Sequence, residues 1–277
     1  LHADDTPVPV LSPGKGRTKP GRLWAYVRDD RPSSGVDPPA VLYRYSPDRK
    51  GERPASHLSP FRGVLQADGY SGFGPLYASG RLVEAACWAH ARRKYYDLFV
   101  ADRSPTAAEA LRRIALLYAI EREIRGQPPQ IRAAARQARS APLLQDLQGW
   151  LTATHRSLSV KSPLAAAIQY TLGRWAALNR YVTDGRVEID NNAAERAIRA
   201  LVLGRRNYLF AGSDAGGETA ARLYSLIGTC RLGGIDPYGY LRHVLERIAT
   251  HPINRIEELL PWRVAPALIA PPRQQAA

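Results

Sequence analysis

Residues 188–199 read EIDNNAAERAIR, two asparagines and several acids ahead of an amphipathic pattern. Local chemistry alone makes this a well-started helix. Asn192 and Glu195 have the spacing of a capping box, in which an acid reaches back to an unsatisfied backbone N–H. Glu195 and Arg199, four apart, have the spacing of a surface ion pair of small energetic weight. A functional role for Glu195 needs further carboxylates that the fold could bring to it, so the flanking chain has to supply them.

Upstream, GVLQADGY (Gly63–Tyr70) is a short apolar run ending in an acid and a glycine, the way a buried strand leaves a sheet. Asp68 therefore falls at the C-terminal end of a central strand, where α/β sheets place ligands. Further strand-like runs are Leu1–Leu11, Leu23–Val27, Ala40–Tyr45 and Leu82–Ala86, the first three at the spacing of an antiparallel meander. SPGKGRTKPGR, between the first two, lacks P-loop spacing and reads as an exposed basic hairpin tip carrying Lys15, Arg17 and Lys19. CWAHARRKYYDLF reads as a helix with Cys87 and His90 on one face and a basic cluster at Arg92, Arg93 and Lys94. Cys87 and His90 are half of a zinc-site spacing with no matching second pair, which favours packing or hydrogen bonding.

Ser104-Pro105 and Ser162-Pro163 carry N-cap and first-turn chemistry. With the stripe Ala107, Leu111, Ile114, Tyr118 and helical stretches over 131–155 and 163–181, residues 104–182 read as a wholly helical block. After the EIDNNAAER helix come Arg205, Arg206 and a Gly-rich turn, then helices expected over Glu218–Leu232 and Asp236–Thr250. The Pro/Ala/Gln-rich residues 265–277 read as a disordered tail.

The chain has 277 residues, 39 Lys+Arg against 25 Asp+Glu, and a net charge of +14, so the natural partner is a polyanion. Two distant cysteines make a disulfide framework improbable and a reducing cytosolic setting the default. No apolar run approaches the ~20 residues of a membrane span and no signal-peptide pattern opens the chain. With no methionine anywhere, the chain reads as the C-terminal portion of a longer protein.

The order of elements offers one acid on the first strand (Asp4 or Asp5), one at a central strand's end and one on a late helix. Three such carboxylates suit Mg²⁺, a hard ion that prefers oxygen. Two ions about 4 Å apart can serve an in-line displacement at phosphorus. Because 25 acids offer many trios, spacing alone leaves the choice open.

Several strings narrow it. LHADDTPV, LWAYV, LQADGYSGF, CWAHARRK, EIDNNAAERAIRALVLGRRNYLFAGSDAGGE and LIGTCRLGGIDPYGYLRHVLERI together resemble the transposases of the insertion sequence 66 family, in order from Leu1 to about Trp262. The resemblance implies an α/β fold: a ribonuclease-H-like mixed sheet flanked by helices, with an all-helical insertion and C-terminal helices. The corresponding boundaries are a core over 1–103, the insertion over 104–182, the rest of the core over 183–232, a C-terminal helical segment over 233–264 and the tail.

It also implies an Asp-Asp-Glu triad and two Mg²⁺ or Mn²⁺ ions. The family's His-x-Asp-Glu-Thr string places the first acid at Asp4, with Asp5 standing where the family has glutamate. Asp68 and Glu195 are the second and third. Cys87 and His90 match a Cys-x-x-His string with a structural or positioning role, and Asn191 and Asn192 would position the helix or its neighbouring acids. Lys15, Arg17, Lys19, Arg92, Arg93, Arg196, Arg199, Arg205 and Arg206 are the candidate DNA contacts. The implied activity is hydrolysis of a phosphodiester at an element's end and strand transfer into target DNA. The implied partners are that DNA, further copies of the chain and accessory proteins of the same element, with no membrane, in a bacterial cytoplasm at the nucleoid. A non-catalytic DNA-binding remnant of the same fold is the alternative, and a structure-specific nuclease a third.

Overall fold

The computed structural model describes residues 1–205 and 207–268. Among them, β1 (His2–Val10), β2 (Lys19–Arg28), β3 (Ala40–Ser46), β4 (Gly63–Gln66) and β5 (Leu82–Ala85) form one sheet in the order β3-β2-β1-β4-β5. β2 and β3 pair antiparallel from Arg22↔Ser46 to Arg28↔Ala40, whereas β1–β4 and β4–β5 are parallel. The sheet is therefore mixed and unclosed. The run Leu23–Val27 is buried throughout, as a strand covered on both faces must be.

The helices are α1 (Glu52–His57), α2 (Gly74–Ala78), α3 (Trp88–Asp102), α4 (Pro105–Ile124), α5 (Pro129–Ala135), α6 (Ala141–Arg156), α7 (Pro163–Gly173), α8 (Trp175–Leu178), α9 (Arg180–Thr183), α10 (Asn192–Gly204), α11 (Asp214–Leu232), α12 (Pro237–Leu245) and α13 (Pro261–Leu268). This is a mixed sheet flanked by helices, with an all-helical insertion after β5 and α3 and helices closing the chain. The fold is ribonuclease-H-like.

The chain divides into two compact units, with boundaries inside β1, between Asp4 and Asp5, and inside α10, between Glu195 and Arg196. The first comprises Leu1–Asp4, Asp30–Val36 and Lys50–Glu195. Its main core joins Ala85, Trp88, Ala91 and Tyr95 to Ala107, Ile114 and Leu117 of α4, Leu144, Leu147 and Leu151 of α6, Ile168 of α7, and Val187 and Ile189. The helical block thus shares one core with the start of α3 and the approach to α10. Ser104 and Ser162 start α4 and α7 as their sequence predicts, accepting from the N–H of Ala107 (3.3 Å) and Ala165 (3.0 Å).

The helix expected over 131–155 is interrupted by a π-helical stretch, Arg136–Ser140. Pro142 is the reason: it has no N–H for the carbonyl four residues back and its ring crowds that carbonyl, so the backbone widens there.

In the second unit, α11 lies against the edge strand β3. Thr229 Oγ1 accepts from Val41 N (3.1 Å) and donates to Val41 O (3.1 Å), while Ser225 Oγ accepts from Tyr43 N (2.8 Å). Helix hydroxyls here cover an edge that would otherwise invite another strand. The approach needs glycine: a Cβ at Gly217 would lie 2.5 Å from Tyr45, and one at Gly228 would lie 2.7 Å from Val41.

The C-terminal helices bury Cys230, Ile235, Tyr240 and Val264 in a small separate core. Two expectations change here. The helix from Asp236 stops at Leu245 rather than Thr250, ahead of Pro252. Residues 265–268, expected to be disordered, continue α13. The rest of that tail lies outside the described residues.

Candidate active site

The three acids sit on three kinds of element in the first unit. Asp4 lies in the middle of β1 and is partly exposed. Its neighbour Asp5 points the other way, as alternation along a strand requires. Asp5 is clamped by two guanidiniums, with Arg22 Nη1 at 3.0 Å and Arg49 donating from Nε and Nη2 at 2.8–3.1 Å. The Asp5 side chain is 3% exposed.

Asp68 follows β4 by two residues and is also partly exposed. Its Oδ1 accepts from Tyr70 N (3.0 Å), an Asx-type turn, and its carbonyl accepts from Tyr170 Oη (3.3 Å). The next residue, Gly69, offers its carbonyl to Arg174 (3.0 Å). Both of these partners belong to α7 or its end, so the insertion touches the loop that carries the second acid.

Glu195 stands in the first turn of α10. The turn is not held by the predicted capping box. The helix begins at Asn192, whose N–H and side-chain amide both donate to the Asp190 carboxylate (3.1 and 2.8 Å). The N–H of Glu195 goes to the Asn191 carbonyl (3.2 Å). Asp190 thus takes over the acceptor role expected of Asn192. Burial pushes the Asp190 carboxyl above its usual range, partly offset by the bond from Asn192 N.

Asn191 is fully buried and ties three segments together. Its Nδ2 donates to Ala3 O (2.9 Å), next to Asp4, its Oδ1 lies 3.2 Å from His2 Nδ1, and its N–H donates to Cys87 Sγ (3.2 Å). Gln66, two residues before Asp68, donates from Nε2 to Ala86 O (3.1 Å) and Glu188 O (2.8 Å). Sequence reasoning missed Gln66, although a polar residue inside the apolar run GVLQA was the available signal.

Cys87, His90 and Glu195 come together. Cys87 precedes α3, His90 lies on its first turn, and their ligand atoms with that of Glu195 are all within 4.8 Å of one another. His90 Nδ1 is 3.6 Å from Glu195 Oε1, beyond hydrogen-bond reach. Burial raises the Cys87 thiol to about 12, against the lowering effect of the Asn191 and His90 N–H groups, so the thiol is neutral near pH 7.

Asp4, Asp68 and Glu195 offer hard, partly exposed carboxylate oxygens, a donor set that fits Mg²⁺. Among the described residues their ligand atoms are not gathered closely enough to share one ion. The cluster that meets that test is Cys87, His90 and Glu195, a mixed soft and hard set.

Of the predicted DNA contacts, Lys15, Arg17, Arg92, Arg93, Arg196 and Arg199 are exposed. Lys19 pairs with Asp214 (2.6 Å), and Arg205 donates to the carbonyl of Pro7. Both have structural work in the second unit. Arg206 lies outside the described residues. No helix among the described residues is long and apolar enough to cross a membrane.

Fold and site thus define a ribonuclease-H-like protein carrying acids on a central strand, at a strand end and on a late helix. The chain belongs to a transposase family: residues 1–219 match the family described as "Transposase IS66 family", of Asp-Asp-Glu type, and residues 225–262 match the "IS66 C-terminal element". Its similar relatives include an uncharacterized protein, y4hP, of Sinorhizobium fredii, 45% identical over 95% of this chain and 50% of the relative. Another from that organism, y4jD, is 45% identical over 95% of this chain and 53% of the relative. The uncharacterized protein YuaK of Escherichia coli is 47% identical over 18% of this chain. The chain spans about half the length of the Sinorhizobium relatives. No solved structure matches it.

Proposed function

We propose that this chain is the catalytic region of a DNA transposase in which Asp4, Asp68 and Glu195 hold two Mg²⁺ or Mn²⁺ ions. The reaction is hydrolysis of a phosphodiester at an element's end, then attack of the freed 3′-hydroxyl on target DNA. The observation that carries the reading is Asn191. One buried side chain joins the backbone beside Asp4 to the turn that starts the helix of Glu195. Gln66 similarly links the strand leading to Asp68 with the carbonyl of Glu188. The clamp on Asp5, whose side chain is 3% exposed, leaves that carboxylate little access to an ion and so supports Asp4 as the first acid.

When bound, the ions would activate the attacking oxygen and neutralise charge on the leaving one. The protein's part is to orient. Asp4 and Asp68 present oxygens from the sheet, Glu195 from a helix start, and Asn191 with Asp190 and Asn192 fixes that start. The exposed Arg92, Arg93, Arg196 and Arg199 would meet phosphates, for which planar guanidinium forks suit bidentate contact. Further copies of the chain and accessory proteins of the element are the partners this activity calls for.

The test is Mg²⁺- or Mn²⁺-dependent nicking and joining on DNA carrying an element's ends, comparing the parent with Glu195→Gln. Loss of both activities with DNA binding retained supports the catalytic reading. A parent that binds DNA but neither cuts nor joins, and is not stabilised against heat by either metal, would instead be a DNA-binding remnant.

A further inference from the structure

Cys87, at the N-cap of α3, and His90, in its first turn, lie three residues apart, and the side chain they meet is Glu195, 105 residues beyond His90 in sequence. His90 Nδ1 is shielded from solvent and has no hydrogen-bond partner. A buried ring nitrogen without a partner loses its hydration and gains nothing in return. The sulfur of Cys87 is prepared differently. It receives the N–H of Asn191 at 3.2 Å and a backbone N–H from His90, at the N-terminal end of a helix. These N–H groups fix the direction of the sulfur, whose proton a metal would displace on binding.

The geometry points to a binding site for a borderline-soft divalent cation, of the Zn²⁺ class, formed by Cys87 Sγ, His90 Nδ1 and a Glu195 carboxylate oxygen. On binding, the Cys87 S–H bond gives way to an S–metal bond and one proton leaves to solvent. Thiolate and carboxylate then balance the charge of the ion, and three protein ligands leave a fourth position open. Mg²⁺ is an unsuitable occupant, since it prefers oxygen ligands.

One consequence rests on the catalytic reading above. Occupancy would withdraw Glu195 from the hard ions and hold the enzyme off. The site itself does not depend on that reading.

The experiment is a Co²⁺ titration of the purified chain under reducing conditions, followed by a thiolate-to-cobalt charge-transfer band. One equivalent should produce the band. Cys87→Ser should abolish it, His90→Ala and Glu195→Gln should each weaken binding at least tenfold, and Cys230→Ser should leave it unchanged. No band, a band that follows Cys230, or affinity unchanged from the parent in the His90 or the Glu195 variant overturns the site. X-ray absorption at the zinc edge of the unmutated chain needs no variant: one sulfur with nitrogen and oxygen neighbours supports the site, and an all-oxygen shell overturns it. If the parent cleaves DNA with Mg²⁺ but binds no cobalt through Cys87, only this inference fails. If cobalt binds but Glu195→Gln still cleaves, the catalytic reading fails and the site stands.

Discussion

Asp4 and Asp5 are adjacent and chemically identical, and Asp5 is held by Arg22 and Arg49. The Asp5 carboxylate is buried but these two partners are partly exposed, so Asp5→Asn should lower stability by about 1–3 kcal/mol in urea denaturation. Where that variant still folds it should retain metal-dependent cleavage, whereas Asp4→Asn should lose it. Cys87 gives a pH prediction. Its thiol is raised from 9.0 to about 12 in the folded chain, so the folded state keeps a proton that the unfolded state releases. The stabilising contribution is whole below pH 9 and declines as pH climbs towards 12. Cys87→Ser should therefore lose less Tm than the parent over that interval. Asn191 was legible in NNAAER only as a residue near a helix start. Its bonds to Ala3 and Cys87 join positions 188 and 104 residues away, which no local pattern encodes.

At the scale of elements, the insertion is anchored by buried ion pairs. Arg136 from the π-helical stretch holds Glu121 of α4 through Nε (2.8 Å) and Nη2 (2.7 Å), and also donates to the carbonyls of Tyr181 and Asp184. Arg132 of α5 bridges Glu121 and Glu188, at the head of the segment leading to α10. Removing one partner from such a buried pair costs about 3–5 kcal/mol, and replacing both with apolar residues is often nearly neutral. Glu121→Gln should thus lower the urea midpoint sharply, while Glu121→Leu combined with Arg136→Met should recover much of the loss. In the second unit, Thr229→Val removes the hydroxyl serving Val41 on the edge strand. It should cost about 1–3 kcal/mol, the penalty of an unsatisfied buried backbone group. The helices themselves were legible, because Ser-Pro starts and an apolar stripe are local signals. The buried arginines were not, since arginine usually marks an exposed face.

For the whole molecule, the charge of +14 predicts DNA affinity that falls steeply with salt. Replacing Arg93 or Arg196 by alanine should each flatten the slope of log K against log[salt] by ~0.9 if it meets a phosphate. Lys19→Ala should change that slope little, because Lys19 is paired with Asp214, and a full phosphate-sized effect would place Lys19 on the DNA.

The sequence by itself determined the order of the five strands and the longer helices, the helical block, the family and the three acids as candidates. These rest on local periodicity, cap chemistry and strings of adjacent residues. Tertiary structure alone decided that Asp5 is held by Arg22 and Arg49, that Asp190 rather than Asn192 serves the start of α10, and that Cys87 and His90 meet Glu195. Each of these depends on atoms brought within a few ångströms from distant parts of the chain. Pairing, burial and coordination are properties of that proximity, and residue type alone fixes only what each group can do once it arrives.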